Sequence, residues 1–254
     1  MLTDTHCHLA DPVLNPNLPA IFADAAQAGV CRFIVPATQR SDFDAVLALA
    51  RHPHVHIALG IHPWFAEAAA DADLACLGTL LQQHPRALVG EIGLDFYGKQ
   101  QTAAQRARQN ELLCAQLELA EQHRRPVILH NLKATAAIVA AIRQTGFTQG
   151  GIAHAFSGSL EEARLLIGCG LKIGIGSLLL NPTAQKARRA AAELPLAHIM
   201  LETDSPFMLK NQTNTPANVR KIAETVATLR GIALTEIAAQ TEQNVAQLLA
   251  FQTA

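Results

Sequence analysis

The chain has 254 residues, half of them apolar, with 16% charged residues, 4% aromatic residues and a formal net charge of -1. This composition excludes intrinsic disorder and leaves enough apolar surface for a large core built from Ala, Leu, Ile and Val. The near-zero charge supplies no electrostatic footprint of a nucleic-acid binder, and excludes no such partner either.

The five cysteines, Cys7, Cys31, Cys76, Cys114 and Cys169, are odd in number, irregularly spaced and free of any CxxC. A disulfide framework is not expected in so core-rich a chain. Asp4 and His6 interrupt the start, so no signal segment is read there. No apolar run reaches the length of a membrane span. The expectation is a cytoplasmic, reduced protein with no membrane contact and no evident obligate protein partner.

In chain order, the predicted strands are "TDTHCHL", "CRFIVPAT", "HIALGIHP", "ALVGEIGL", "RPVILHN", "GGIAHAFS", "LKIGIGS" and "HIMLETDSP". Helical patterns alternate with them. "AIFADAAQAG" stops at Gly29, and "SDFDAVLALARH" places Ser41 at a cap position with Asp44 three residues on. "QRARQNELLCAQLELAEQHR" is long and periodic, and "SLEEARLLIGCG" opens on serine and closes on glycine. "PANVRKIAETVATLRG" and "LTEIAAQTEQNVAQLLAF" follow. Eight strands alternating with helices imply right-handed crossovers and parallel pairing. The predicted architecture is one (β/α)₈ TIM barrel spanning residues 1–254. An open doubly wound sheet is the runner-up, weakened by the lack of GxGxxG in the first βα turn.

Barrel chemistry belongs at the C-terminal ends of the strands. There the sequence places His6 and His8, His62 of "GIHP", Glu91 of "GEIGLD", His130 of "VILHN", His154 of "IAHAFSG", and Glu202 with Asp204 of "LETDSP". Read as a strand, the first segment puts Asp4, His6 and His8 on one face and Cys7 on the other. Cys7 is therefore expected to pack in the core. Imidazole and carboxylate together suit Zn, Mn, Mg, Ni or Co. Four ligand histidines and two acids exceed the needs of one tetrahedral ion, so two divalent ions are expected, with Glu91 placed to bridge them. His52, His54, His84, His123 and His198 read as caps or solvated side chains, and His56 starts a strand at the wrong end.

These motifs, with the late "NTPANV", occur in the order found in TatD-type metal-dependent hydrolases, and the chain most resembles their bacterial YjjV-like branch. The resemblance covers nearly the whole length. It implies a barrel of the amidohydrolase superfamily and DNase activity, in some members 3′ exonuclease action, in others removal of D-amino acids from tRNA. It implies that His6, His8 and Asp204 hold one metal, that His130 and His154 hold the second, and that Glu91 bridges them. His62 would sit at the mouth near substrate phosphate.

The sequence departs from the family pattern twice. Where the family often reads H-S/C-R-x-A after strand five, the chain has His130, Asn131, Leu132, Lys133 and Ala134, and Lys133 would replace the arginine as a phosphate contact, giving a point charge in place of a bidentate fork. Trp64 stands where a histidine is frequent; it would either stack on a base or sugar or cap the mouth by packing.

The expected chemistry is two-metal hydrolysis of a phosphodiester in single-stranded DNA or at a tRNA end, with Asp204 accepting the proton of the attacking water. An ester or amide hydrolase, such as a D-aminoacyl-tRNA deacylase, is the alternative. A non-catalytic metal-binding protein comes third. Glu202 reads either as a group orienting a ligand histidine or as a structural ion pair. Asp95 reads either as such an orienting group or as a strand-end cap. Lys186, Arg188 and Arg189 read either as a backbone contact for nucleic acid or as a solvated helix face.

Overall fold

Each of the eight runs of mostly apolar residues becomes a strand. In the computed structural model, which describes residues 1–98 and 101–253, they are β1 Leu2–Asp4, β2 Val30–Pro36, β3 Val55–Leu59, β4 Leu88–Asp95, β5 Val127–Leu132, β6 Gly151–Ala153, β7 Leu171–Ile175 and β8 Ile199–Leu201. Neighbours pair in parallel in strict sequence order. The ring closes just past the strand ends. Thr5 N donates to Leu201 O at 2.9 Å, Asp204 N to His6 O at 2.8 Å and His8 N to Ser205 O at 2.8 Å. This order and closure define a TIM barrel and remove the open doubly wound sheet.

The helices are α1 Leu18–Gln27, α2 Phe43–Leu49, α3 Asp71–Gln83, α4 Ala103–Gln122, α5 Thr135–Thr145, α6 Leu160–Gly168, α7 Gln185–Glu193, α8 Val219–Arg230 and α9 Leu234–Leu248. Among the described residues, no helix is long and apolar enough to cross a membrane. Ser159 caps α6 with Glu162 returning the bond, as its sequence position suggests. Ser41 does not cap α2. A 3₁₀ turn, Arg40–Asp42, precedes that helix, and Asp42 is drawn back to Thr38, accepting from its N–H at 3.2 Å and its hydroxyl at 2.6 Å.

Strand alternation divides the core. Phe33 and Val35 face the helix layer, while Ile34 points into the barrel. There it joins Ala58, Leu88, Ile128, Ile152 and Met200, together with Val245, Leu248 and Leu249 from the end of α9. This apolar plug fills the barrel beneath the polar strand ends. Between β4 and β5, Gly93 (φ +144) lies so close to the carbonyl of His130 that any side chain would collide with it. The approach brings Glu91 and His130 onto adjoining strands within contact distance.

His56 lies in β3, away from the strand ends that carry the other polar groups. Burial first, and Arg32 second, push its imidazole down to about 4, against a bond from Gln252. Above pH 6.5 the ring is neutral whether the chain is folded or not. As pH falls from about 6.5 to about 4, only the unfolded chain takes up the proton, so stability is lost across that window. His56→Gln is expected to flatten part of this loss, measured as denaturant midpoints at pH 7 and pH 5.

Candidate metal centre

Strands 1, 6 and 8 are each three residues long, and the chain turns inward as soon as they end. That turn points polar side chains over the apolar plug. Glu91 lies at the centre, and its two oxygens serve different neighbours. Oε2 is 3.3 Å from His6 Nε2 and 3.9 Å from His8 Nε2. Oε1 is 2.7 Å from His154 Nε2, 3.2 Å from His130 Nδ1 and 3.3 Å from His62 Nε2. Asp204 Oδ1 completes the first side, 3.2 Å from His8 Nε2 and 3.7 Å from His6 Nε2.

Three sets of ligand atoms lie close enough to share an ion: His6, His8 and Asp204; His6, Glu91 and His154; and His62, Glu91 and His130. All the expected ligands therefore meet in one cluster. His154 stacks on His6 at 3.8 Å between ring centroids, and so sits between the two sides rather than wholly with His130. His62 is buried as deeply as Glu91 and does not stand out at the mouth. Trp64 and Lys133 are exposed; Lys133 adopts a left-handed backbone (φ 57) after β5.

The donor set fits a divalent cation. Every atom is imidazole nitrogen or carboxylate oxygen, the choice of Zn, Mn, Ni or Co. His6 Nε2 and His8 Nε2 approach to 3.2 Å. Five imidazole nitrogens crowd the Glu91 carboxylate, and positive charge among them is the natural complement.

The electrostatics agree. Burial raises the Glu91 carboxyl, but His154, His62 and His6 outweigh it and hold the group well below the usual range. Burial lowers His154, yet Glu91 dominates and lifts it to about 9. Burial, then His154, press His6 down to about 4. His8 ends raised, because its bond to Asp204 overcomes burial; Asp204 is lowered in return.

Alternation along the first segment ends at Asp4. Its carboxyl group turns to Thr203, accepting from the N–H at 2.9 Å and the hydroxyl at 2.5 Å, and also accepts the backbone N–H of His6 at 3.3 Å. Cys7 is fully buried with its thiol on Ile34 O, consistent with core packing. Asp204 adopts a left-handed backbone (φ 58) past the end of β8. Glu202 is wholly buried, accepts from the Ala155 N–H and lies 3.9 Å from His154 Nδ1. Burial lifts it to about 7.

Lys186, Arg188 and Arg189 line an outer groove with Leu229 of α8, and Arg189 pairs with Glu193 within α7. The position is that of a solvated helix face.

Sequence reasoning missed three supports. Thr203 holds Asp4. Asn214, the first residue of "NTPANV", is fully buried and donates to Thr203 O and Phe207 O, both at 2.9 Å, fixing the loop that carries Asp204. Gln116 of α4 spans the backbone of Ile61, accepting from its N–H at 2.7 Å and donating to its C=O at 3.0 Å. A buried amide within a conspicuous motif was the available signal for Asn214; Thr203 and Gln116 carry none that a linear pattern records.

A parallel barrel whose strand ends converge on histidines and carboxylates is the architecture of a metal-dependent hydrolase. A family model described as TatD-related DNase matches residues 3–250, and the chain belongs to that family of metal-dependent hydrolases. It is 39% identical over 242 residues to the uncharacterized metal-dependent hydrolase YjjV of Escherichia coli K12, covering 92% of both chains. The crystal structure of E. coli YjjV superposes with a TM-score of 0.91 at 37% identity, over 97% of each chain. The chain is also 31% identical to the 3'-5' ssDNA/RNA exonuclease TatD of Edwardsiella piscicida, covering 97% of this chain and 98% of that protein. It is 28% identical to human deoxyribonuclease TATDN3, covering 97% and 94%.

Proposed function

We propose that the protein removes nucleotides from the 3′ end of single-stranded nucleic acid by hydrolysing phosphodiester bonds, at a centre whose two divalent ions Glu91 would help to hold. The observation that carries this reading is the division of the Glu91 carboxylate between two ligand groups, Oε2 toward His6 and His8 and Oε1 toward His130 and His154. The names of the E. piscicida and human relatives support a nucleic-acid substrate.

In this reading His6, His8 and Asp204 hold one ion and His130 with His154 the other. Two divalent ions such as Zn, Mn, Mg, Ni or Co, when bound, would supply Lewis acidity and lower the pKa of the attacking water. Asp204 orients that water and takes its proton at a carboxylate oxygen that stays ionised because His8 is bonded to it. Lys133, exposed beside β5, draws the phosphate in, and His62 reaches it from beneath. Trp64 borders the same opening.

The test is an assay of metal-reconstituted protein on 3′-labelled single-stranded DNA beside D-aminoacyl-tRNA. Stepwise release of 3′ nucleotides, lost in Glu91→Ala, is the expected result. Release of the amino acid from tRNA without nucleotide release overturns it in favour of an ester hydrolase using the same centre.

A further inference from the structure

Trp64 has two N–H groups, and both act on neighbouring histidines of the cluster. Its backbone N–H donates to His62 Nδ1 at 3.1 Å. Its indole N–H donates to Asp95 Oδ2 at 2.7 Å, and the same oxygen lies 3.2 Å from His130 Nε2. Each contact selects a tautomer. A carboxylate has no hydrogen to give, so His130 Nε2 must donate to Asp95. Nδ1 lies 3.2 Å from Glu91 Oε1, a carboxylate it can donate to in the absence of an ion; with Asp95 keeping the hydrogen on Nε2, Nδ1 is the nitrogen left to give a lone pair when an ion is held. His62 carries its hydrogen on the same atom but turns that atom toward Glu91. Its Nδ1 accepts, so in the neutral ring the hydrogen sits on Nε2, 3.3 Å from Glu91 Oε1. A nitrogen that carries hydrogen cannot lend a lone pair to an ion.

We propose that Trp64 and Asp95 are positioning residues that hold both histidines in the Nε2–H tautomer while turning opposite nitrogens toward Glu91, making His130 an ion ligand through Nδ1 and His62 a hydrogen-bond donor through Nε2.

A strand-end cap does not account for Asp95. Capping uses Oδ1, which accepts the Tyr97 N–H at 3.0 Å. Oδ2 is left for Trp64 and His130, neither of which a cap requires. The residue is also held from behind. Its N–H donates to Gln109 Oε1 at 2.9 Å and its C=O accepts from Gln101 Nε2 at 2.8 Å. The exposed indole is 71% accessible, yet its orientation is fixed by a short bond to a buried acid. That bond gives the ring a purpose beyond packing or stacking.

The test is a cobalt(II) titration of the metal-free protein, read by absorption, with zinc-loaded, ¹⁵N-histidine-labelled protein for the tautomers. His130→Ala marks the binding step that depends on His130. Asp95→Asn is expected to weaken that same step by about 10- to 100-fold, and Trp64→Phe by about 10-fold. The other step should stay within about twofold in both. His62→Ala should leave both steps in place, and the zinc-loaded protein should show hydrogen on Nε2 of both His62 and His130. Trp64→Phe keeps an aromatic ring and changes one exposed side chain, so it decides the matter should Asp95→Asn fail to fold. Unmoved cobalt affinities in Trp64→Phe, with or without a raised KM, overturn the proposal, as does loss of a binding step in His62→Ala. The readout is ion binding, so it stands whether the substrate is DNA or aminoacyl-tRNA.

Discussion

Glu91→Gln is expected to lower kcat/KM on the order of 10³-fold or more, about 4 kcal/mol of transition-state stabilisation. The amide keeps the volume of the carboxylate and removes the charge that both ligand groups share. Bound metal, measured by elemental analysis, should fall from about two ions per chain to one or none. A third readout needs no substrate. In the metal-free protein, Glu91 is the main influence lifting His154 to about 9 against burial. Without it burial weighs more heavily against Glu202 and Asp204, and the His154 ring should titrate lower by NMR. The linkage has a definite sign. His154 is raised in the folded state, so its pairing with Glu91 stabilises the metal-free fold fully below about pH 6.5 and loses effect as pH rises toward 9. A Glu91→Gln protein with two tightly held ions and full activity would remove the bridging role.

Asp204→Asn is expected to reduce kcat by about 10²- to 10⁴-fold with the fold preserved. Asparagine is the informative substitution because residue 204 sits at φ 58, a left-handed backbone that Asn tolerates nearly as well as Asp. The Asp204 N–H to His6 O, part of the closing seam, also survives. Loss of the carboxylate removes the bond that holds His8 raised, so His8 should titrate lower in the metal-free variant. Thermal midpoints of the two metal-free proteins should agree within a few degrees. Undiminished kcat in Asp204→Asn would refute its part in proton transfer.

The barrel was legible because parallel strands are buried on both faces and read as apolar runs. "FIVP" of β2 and "VIL" of β5 fit that pattern, and the polar residues that follow such runs mark the strand ends. Strand length was less legible. "TDTHCHL" looks like seven residues of strand, but only Leu2–Asp4 pair as one, because the histidines must leave the pleat to converge. His6 and His8 still meet, through a turn and not through alternation. The histidine and carboxylate set was readable from residue type and strand-end position. The role of Trp64 was not, since its partner Asp95 lies 31 residues further along and on another strand. Neither was the left-handed backbone of Asp204, which turns the chain just past β8.

The seam between β1 and β8 has a consequence for when the protein becomes active. His6 and His8 leave the ribosome first, and Asp204 arrives some two hundred residues later; the three meet only after β8 docks on β1. Contacts so distant in sequence form late, because chain closure must precede them. A nascent or prematurely terminated chain therefore lacks a complete centre, and hydrolytic competence begins only when synthesis has passed the last strand. The order of the strands thus delays assembly of the centre until translation nears its end.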